Sequence, residues 1–317
     1  MVLWRMDFSR AQTVPGLPAV VSKIGKYEVI RELGKGATSA VYQALDPFQN
    51  RQVAIKVVFP EALGDKEHGK RYRKLFVTEA SLAGKLSHPH IVAIYDAVAD
   101  DEASYLVMEY VDGTTLEQYT RHDALLPIPK IVEITYKCAR ALEYASRQGV
   151  IHRDIKPANI LLAGELDIKI SDFGAALTLA AQTTQVSGVG SPAYMSPEQV
   201  KEFPLTYQTD IFSLGVVMYQ LLTGRLPFQG TNNYSMIYQI INVDPPPPMQ
   251  VRPDIPARVD AIVMRALRKD TAARYQTWEE FAHDLATALG REEKREPGFA
   301  ESEKFDTLRK LEFFRHF

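Results

Sequence analysis

The stretch from Asp210 to Gly224, D-I-F-S-L-G-V-V-M-Y-Q-L-L-T-G, is apolar on almost every face, and no other segment limits the fold so strongly. A helix without a solvated side belongs at the centre of a domain, walled in by other elements. The 317 residues suffice for a large core and two lobes, and 46% hydrophobic with 24% charged residues is the balance of an ordinary globular chain. Upstream, Ile131, Ile134, Cys138, Leu142 and Ala145 recur at three- and four-residue spacing until Gly149, which predicts an amphipathic helix with a glycine C-cap. That helix delivers the chain into Ile151–Leu161, I-H-R-D-I-K-P-A-N-I-L. Here a carboxylate (Asp154), an ammonium (Lys156) and a carboxamide (Asn159) share one short loop between apolar flanks. A loop anchored in this way can aim its polar groups at one small volume. Hydroxyl-directed phosphoryl transfer needs such a set: an acceptor for the hydroxyl proton, a cation for the migrating phosphoryl and an oxygen ligand for Mg²⁺.

Several classes of function are set aside by composition. A formal charge of −2 gives no electrostatic reason to expect nucleic acid, and the basic run from Lys66 to Lys74 reads as a solvated helix face. The single cysteine, Cys138, rules out a disulfide framework or a cysteine-based metal site and fits a small core residue in a reducing, cytoplasmic compartment. His88 and His90, in S-H-P-H, stand without a matching ligand set and read as turn and packing residues before a strand restarting at Ile91–Ile94. No run of about 18 apolar residues occurs, so no membrane span is expected. The opening M-V-L-W-R-M-D-F-S-R is interrupted by Arg5, Asp7 and Arg10, against a secretory signal, and residues 1–26 read as a loose leader.

Further motifs surround the loop. Tyr27–Leu45 holds two alternating segments hinged on Gly34 and Gly36, a predicted hairpin whose glycines would let backbone amides approach phosphate oxygens. Val53-Ala54-Ile55-Lys56 is a β-branched strand ending in a lysine, costly there unless its charge is paired. Helical spacing over Tyr72–Leu86 predicts a helix that carries Glu79, and Tyr105–Val111 reads as a buried strand ending at Asp112-Gly113. Asp167–Ile170 reads as a short strand leading to Asp172-Phe173-Gly174. Pro245–Pro248 reads as a polyproline connector between helices. The five specified residues of H-R-D-x-K-x-x-N should arise by chance on the order of 10⁻⁴ times in a chain of this length.

Together these motifs resemble the eukaryotic-type protein kinases of the bacterial branch, over residues 27–289. The resemblance implies an α+β bilobal fold: a small antiparallel-sheet N-lobe with one main helix (27–109), a hinge (109–113) and a larger, mainly helical C-lobe (114–289). It implies Ser/Thr specificity through Lys156, with Asp154 orienting and deprotonating the hydroxyl and Lys56 with Glu79 holding the phosphates. ATP would lie against Leu33, Gly34, Lys35, Gly36, Ala37, Thr38, Ser39, Val41, Ala54 and Leu161, with Met108 as gatekeeper and the backbone of Glu109 and Val111 facing adenine. Ser39 replaces the third glycine of the family's loop. Asn159 and Asp172 would hold Mg²⁺, or Mn²⁺ in its place.

The same resemblance implies protein substrates and a homodimer for trans-autophosphorylation. Thr183 and Thr184, in a hydroxyl-rich loop, are the candidate phosphosites, and Arg153 can bind such a phosphate bidentately. Gly190–Glu198 resembles the substrate-docking segment, with Ser196 in place of the usual alanine. Asp210 is expected to accept amides of the catalytic loop, and Glu198 to pair with Arg274. Two rivals are a pseudokinase, which typically loses the counterpart of Lys56, Asp154 or Asp172, and a small-molecule kinase, which lacks the docking segment. Residues 290–317 form a charged linker and a short helix with Leu308, Leu311, Phe314 and Phe317 on one face. That face would fold back on the lobe, lie on a membrane or partner, or open a further domain, its sequence resembling the entry helix of cyclic-nucleotide-binding domains.

Overall fold

The computed structural model describes residues 23–36, 38–59, 80–81, 83–99, 104–173 and 192–291. Among the described residues, six antiparallel strands form the sheet of the N-terminal lobe: β1 (Lys23–Ile24), β2 (Tyr27–Lys35), β3 (Ser39–Asp46), β4 (Arg51–Val58), β5 (Ile94–Ala99) and β6 (Ser104–Glu109), in the order β1-β2-β3-β4-β6-β5. Alternation along β4 decides what each face does. Val53 and Ile55 point into the lobe core with Ile24, Tyr27, Ala44, Tyr105 and Val107, leaving Ala54 and Lys56 on the opposite face. The sheet also takes in part of the span read as leader, because Lys23 and Ile24 pair with Glu28 and Tyr27 and Ile24 is buried.

The strand expected from Ile91 begins instead at Ile94. The preceding residues bond elsewhere: Val92 N–H donates to Ile170 O at 2.9 Å, Ile170 N–H donates to His90 O at 2.9 Å, and Ile91 forms a parallel bridge with Ile170. Their backbone therefore ties the N-terminal lobe to the strand that leads into Asp172.

A second sheet of β7 (Thr114–Thr115), β8 (Ile160–Ala163) and β9 (Asp167–Ile170) carries the catalytic-loop side of the second lobe. Helices fill the rest of that lobe: α1 (Ile128–Arg147), α2 (Pro197–Val200), α3 (Tyr207–Thr223), α4 (Asn233–Asn242), α5 (Pro248–Val251), α6 (Ala257–Ala266) and α7 (Trp278–Ala288). The chain is thus an α+β protein of two lobes.

Helix α3 is the central apolar helix, with only Tyr207, Gln208 and Gln220 not buried. Thr206 Oγ1 caps its start by accepting from Gln208 N–H, and Gly224 ends it in the left-handed region at φ 71°. Its Gly215 is set by packing, since a Cβ there would lie 2.8 Å from Ala266 Cβ on α6. Among the described residues no helix is long and apolar enough to cross a membrane.

Candidate active site

The catalytic loop is fixed from beneath by α3. Asp210, in its first turn, accepts His152 N–H at 2.7 Å and Arg153 N–H at 2.8 Å. Burial pushes its carboxyl pKa up, and the two amides oppose that shift. Arg153 is thereby held at φ 68°, a left-handed conformation unusual for a non-glycine residue, and Asp172 sits at φ 63°. Strain of this kind, of order 1–3 kcal/mol per residue, persists where surrounding contacts over-determine it.

His152 couples the two strained segments. Fully buried, its Nδ1 accepts Asp154 N–H at 3.2 Å while Nε2–H donates to Ser171 O at 2.8 Å, which assigns the neutral ring its tautomer. Its ring meets Phe173 edge-on with centroids 4.6 Å apart. No role for this residue was read from the sequence, where the H of H-R-D signals only the motif.

Asp154 Oδ2 accepts from Lys156 Nζ at 2.7 Å and from Asn159 Nδ2 at 3.0 Å, and Asn159 Nδ2 also donates to Asp154 O at 2.8 Å. With the amide nitrogen committed to Asp154, the Oδ1 of buried Asn159 is the end that can ligate a cation. Ser171 N–H donates to Asn159 O at 2.9 Å, which sets Asp172 beside it in the fold. Lys56 Nζ reaches Asp172 Oδ1 at 2.7 Å. Burial raises the Asp172 pKa, but the Lys56 ammonium outweighs it and holds the carboxyl below its ordinary value. Among the described residues no cluster of three or more His, Cys, Asp or Glu is placed to hold a metal unaided. One carboxamide oxygen and one carboxylate are the donor set of a hard divalent cation that brings further oxygens with its ligand.

An apolar cluster, the candidate slot, accompanies this polar group. Ala54, Val92 and Met108 are buried together, with Val41, Leu106, Val111 and Leu161 packed on them. β3, β4, the hinge and β8 thus contribute to one apolar cluster, on the same face of β4 as Lys56. The Glu109 amide is committed to Ala93 O at 2.8 Å, which narrows the expected purine contact at this residue to its carbonyl.

The Glu109 carboxylate accepts Lys169 Nζ at 2.9 Å and Ala93 N–H at 3.2 Å, a tie between hinge and β9 not read from the sequence. Its only signal there was a charged residue inside the apolar strand D-I-K-I. Leu33, Gly34 and Lys35 end β2, and Thr38, Ser39 and Val41 lead back along β3. Neither Gly34 nor Gly36 has positive φ, and an added Cβ would meet nothing within 4 Å at Gly34 and only Ser39 O, at 3.7 Å, at Gly36. Glycine is therefore not demanded by the fold at these two positions, and at Gly34 it borders open space. Ala37 and Glu79 lie outside the described residues.

The docking segment is braced from below. Arg274, 1% exposed, donates through Nη1 to Glu198 Oε1 at 2.8 Å and through Nη2 to Oε2 at 3.2 Å. Thr209 Oγ1 donates to Glu198 Oε1 at 3.1 Å. Burial raises the Glu198 pKa, but Arg274 outweighs it and holds the carboxyl below its ordinary range. Ser196, where alanine was expected, explains itself as the N-cap of α2: its Oγ accepts Gln199 N–H while Gln199 Oε1 accepts Ser196 N–H. Gln199 Nε2 then donates to Arg153 O at 2.8 Å, joining this segment to the catalytic loop. Arg153 Nε is buried with no hydrogen-bond partner among the described residues. Thr183 and Thr184 lie outside the described residues, as does all of the tail beyond Arg291.

Comparison with known proteins matches residues 27–285 to the family model described as protein kinase domain. The serine/threonine-protein kinase PrkC of Bacillus subtilis is 37% identical over 277 residues, 87% of this chain and 42% of that protein. The serine/threonine-protein kinase PknB of Mycobacterium leprae is 39% identical over 267 residues, 82% of this chain and 42% of that protein. A probable serine/threonine-protein kinase of Streptomyces coelicolor is 38% identical over 273 residues, 84% of this chain and 40% of that protein. The chain spans about two-fifths of the length of these curated relatives.

Proposed function

The chain belongs to the protein kinase family, and from that premise we propose that it transfers the γ-phosphoryl of ATP to serine and threonine hydroxyls of proteins. The observation that carries this reading is the adjacency of Asp154, Lys156 and Asn159 to the Lys56–Asp172 pair, together with the apolar cluster of the candidate slot.

In this reading Ala54, Val41, Val111 and Leu161 enclose the purine, and Met108 closes the slot behind it. Lys56 holds phosphate oxygens together with Glu79, exchanging part of its contact with Asp172 when nucleotide enters. Asp154 accepts the hydroxyl proton and orients the attacking oxygen, its own orientation fixed by the Asn159 amide. Lys156, already on Asp154 Oδ2, neutralises charge that develops on the transferred phosphoryl. Asn159 and Asp172 fit a divalent ion, Mg²⁺ or Mn²⁺. Bound there, it would supply charge neutralisation across the phosphates.

Arg153 supports a regulatory reading. A buried guanidinium nitrogen without a partner among the described residues fits a phosphate, and the candidate carriers of that phosphate are Thr183 and Thr184, modified in trans within a homodimer. A cytoplasmic location belongs to the same proposal. Incubation with γ-labelled ATP, Mg²⁺ and a generic basic protein, followed by phosphoamino-acid analysis, tests the reading. Labelled phosphoserine and phosphothreonine are expected with the wild type and not with Asp154→Asn. Equal labelling by both proteins would refute the assignment.

A further inference from the structure

Helix α4 ends without a cation of its own. Its sequence N-Y-S-M-I-Y-Q-I-I-N has no basic residue in the last turn, and its C-cap, Val243, is extended rather than a left-handed glycine. The final carbonyls of a helix need donors, and the negative end of its dipole favours a cation. The helix supplies part of this itself, Val243 N–H donating to Gln239 O and Asn242 Nδ2 to Tyr238 O, each at 3.0 Å; the cation, and the donor to Ile240 O, come from Lys269, between α6 and α7 in the chain and 29 residues from Ile240. Its Nζ donates to Ile240 O at 2.6 Å and to Gln239 O at 3.3 Å. The same ammonium lies 3.4 Å from the centroid of the Phe228 ring, and Phe228 stacks on Phe212 of α3 with a 5° interplanar angle. Arg274 in turn lies 5.0 Å from the Phe212 ring. Lys269 thus joins the end of α4 to the aromatic pair that also supports the Arg274–Glu198 brace.

Helix α4 is a surface element at a telling place. It packs on Pro192–Tyr194 and on α2, the two pieces of the docking segment, while Tyr234 and Tyr238 stay 79% and 62% exposed. Among the described residues no carboxylate lies within ion-pair distance of Lys269, so two carbonyls and the ring faces of Phe228 and Phe212, with Asp244 at longer range, offset the burial of its charge. Burial lowers its pKa to about 7, with Asp244 opposing and Arg274 adding to the shift. A methionine of similar length would fill the space over Phe228 without that cost, which directs attention to what the ammonium holds.

We propose that Lys269 is a positioning residue: by capping α4 from outside, it fixes that helix against the docking segment so that a folded protein substrate meets a preformed surface. The inference rests on the protein-kinase reading and names a determinant of its substrate binding. Lys269 touches neither the slot nor the catalytic loop in any contact described above, so its effect falls on the protein substrate and not on the nucleotide.

The experiment compares wild type, Lys269→Met and Lys269→Arg in steady-state phosphorylation of a folded basic protein and of a short basic peptide, with ATP varied in parallel. Lys269→Met is expected to raise KM for the folded protein about three- to tenfold, loss of a charge-assisted hydrogen bond being transmitted in part. KM for ATP and for the peptide should stay within about twofold, and Lys269→Arg, which keeps donors and charge, should recover most of the loss. Equal changes toward peptide and protein, or none toward either, would overturn the proposal. So would a Lys269→Arg enzyme that folds yet behaves like Lys269→Met. If Lys269→Met fails to fold, Lys269→Arg and Asn242→Lys/Lys269→Gln, which restores a cation on α4 itself, take its place under the same criteria. A wild type that phosphorylates neither substrate would instead count against the kinase reading.

Discussion

Glu198→Gln removes one charge from the brace beneath the docking segment and changes almost nothing in shape. Arg274 then remains at 1% exposure with no carboxylate opposite its two terminal nitrogens, although Gln208 O, at 2.6 Å from Nη1, and Arg268 O, at 3.1 Å from Nε, still accept from it. Leaving one member of a buried pair uncompensated costs about 3–5 kcal/mol. That is a fifth or more of the about 5–15 kcal/mol that holds a typical domain together. At about 2–4 °C per kcal/mol for a domain of this size, the melting temperature should fall by roughly 6–20 °C.

Urea unfolding in an Asp154→Asn background, which avoids heterogeneity from self-phosphorylation, measures the effect directly. Replacing both partners, as Glu198→Leu/Arg274→Met, should recover only part of the loss. The two carbonyls that Arg274 now satisfies would lose their donors, at about 1 kcal/mol each. A Glu198→Gln protein within about 0.5 kcal/mol of its parent would refute the account of this pair as the brace, because that is the scatter of a neutral surface change.

The same carboxylate gives a pH signature. Its folded pKa lies below the unfolded value of about 4.3, so the stability it contributes is present above that pH and lost as pH falls through the folded value; the gap between parent and Glu198→Gln in urea titrations should therefore narrow in acid. Ala54→Phe should fill the apolar slot from the β4 side and abolish binding of a fluorescent ATP analogue while leaving the circular-dichroism spectrum intact; unchanged nucleotide affinity would remove the purine from that slot. Gly215→Ala places a methyl 2.8 Å from Ala266 Cβ and should destabilise the second lobe by about 1–3 kcal/mol in chemical denaturation, the usual cost of overpacking.

What the sequence disclosed, and what it did not, follows the range of the interactions. The central helix was legible because an apolar stretch without a polar face has one place to go, and Thr206 and Gly224 cap it by rules local to the chain. The loop around Asp154 was legible for the same reason, its three polar residues being within six positions of one another. The Glu109–Lys169 tie, between residues 60 positions apart, depends on how two strands are brought together. A lone lysine in β9 could have raised the question but not named the partner. Likewise Ile91 and Val92 continue the β-branched run toward Ile94, yet Val92 N–H bonds to Ile170 of β9, and side-chain pattern carries no record of which carbonyl an amide will meet. Lys269 was invisible for a further reason: its partners are main-chain carbonyls, and no residue type announces those.

The central claim is that Asp154 acts on the incoming hydroxyl and not on the nucleotide. Single-turnover phosphoryl transfer from pre-bound ATP to a saturating protein substrate, measured for wild type and Asp154→Asn, isolates that step. The account predicts a rate constant lower by about 10²–10⁴ in the variant, the range of general acid–base contributions, with the dissociation constant for ATP unchanged. Equal transfer rates, or a loss explained wholly by weaker ATP binding, would contradict it.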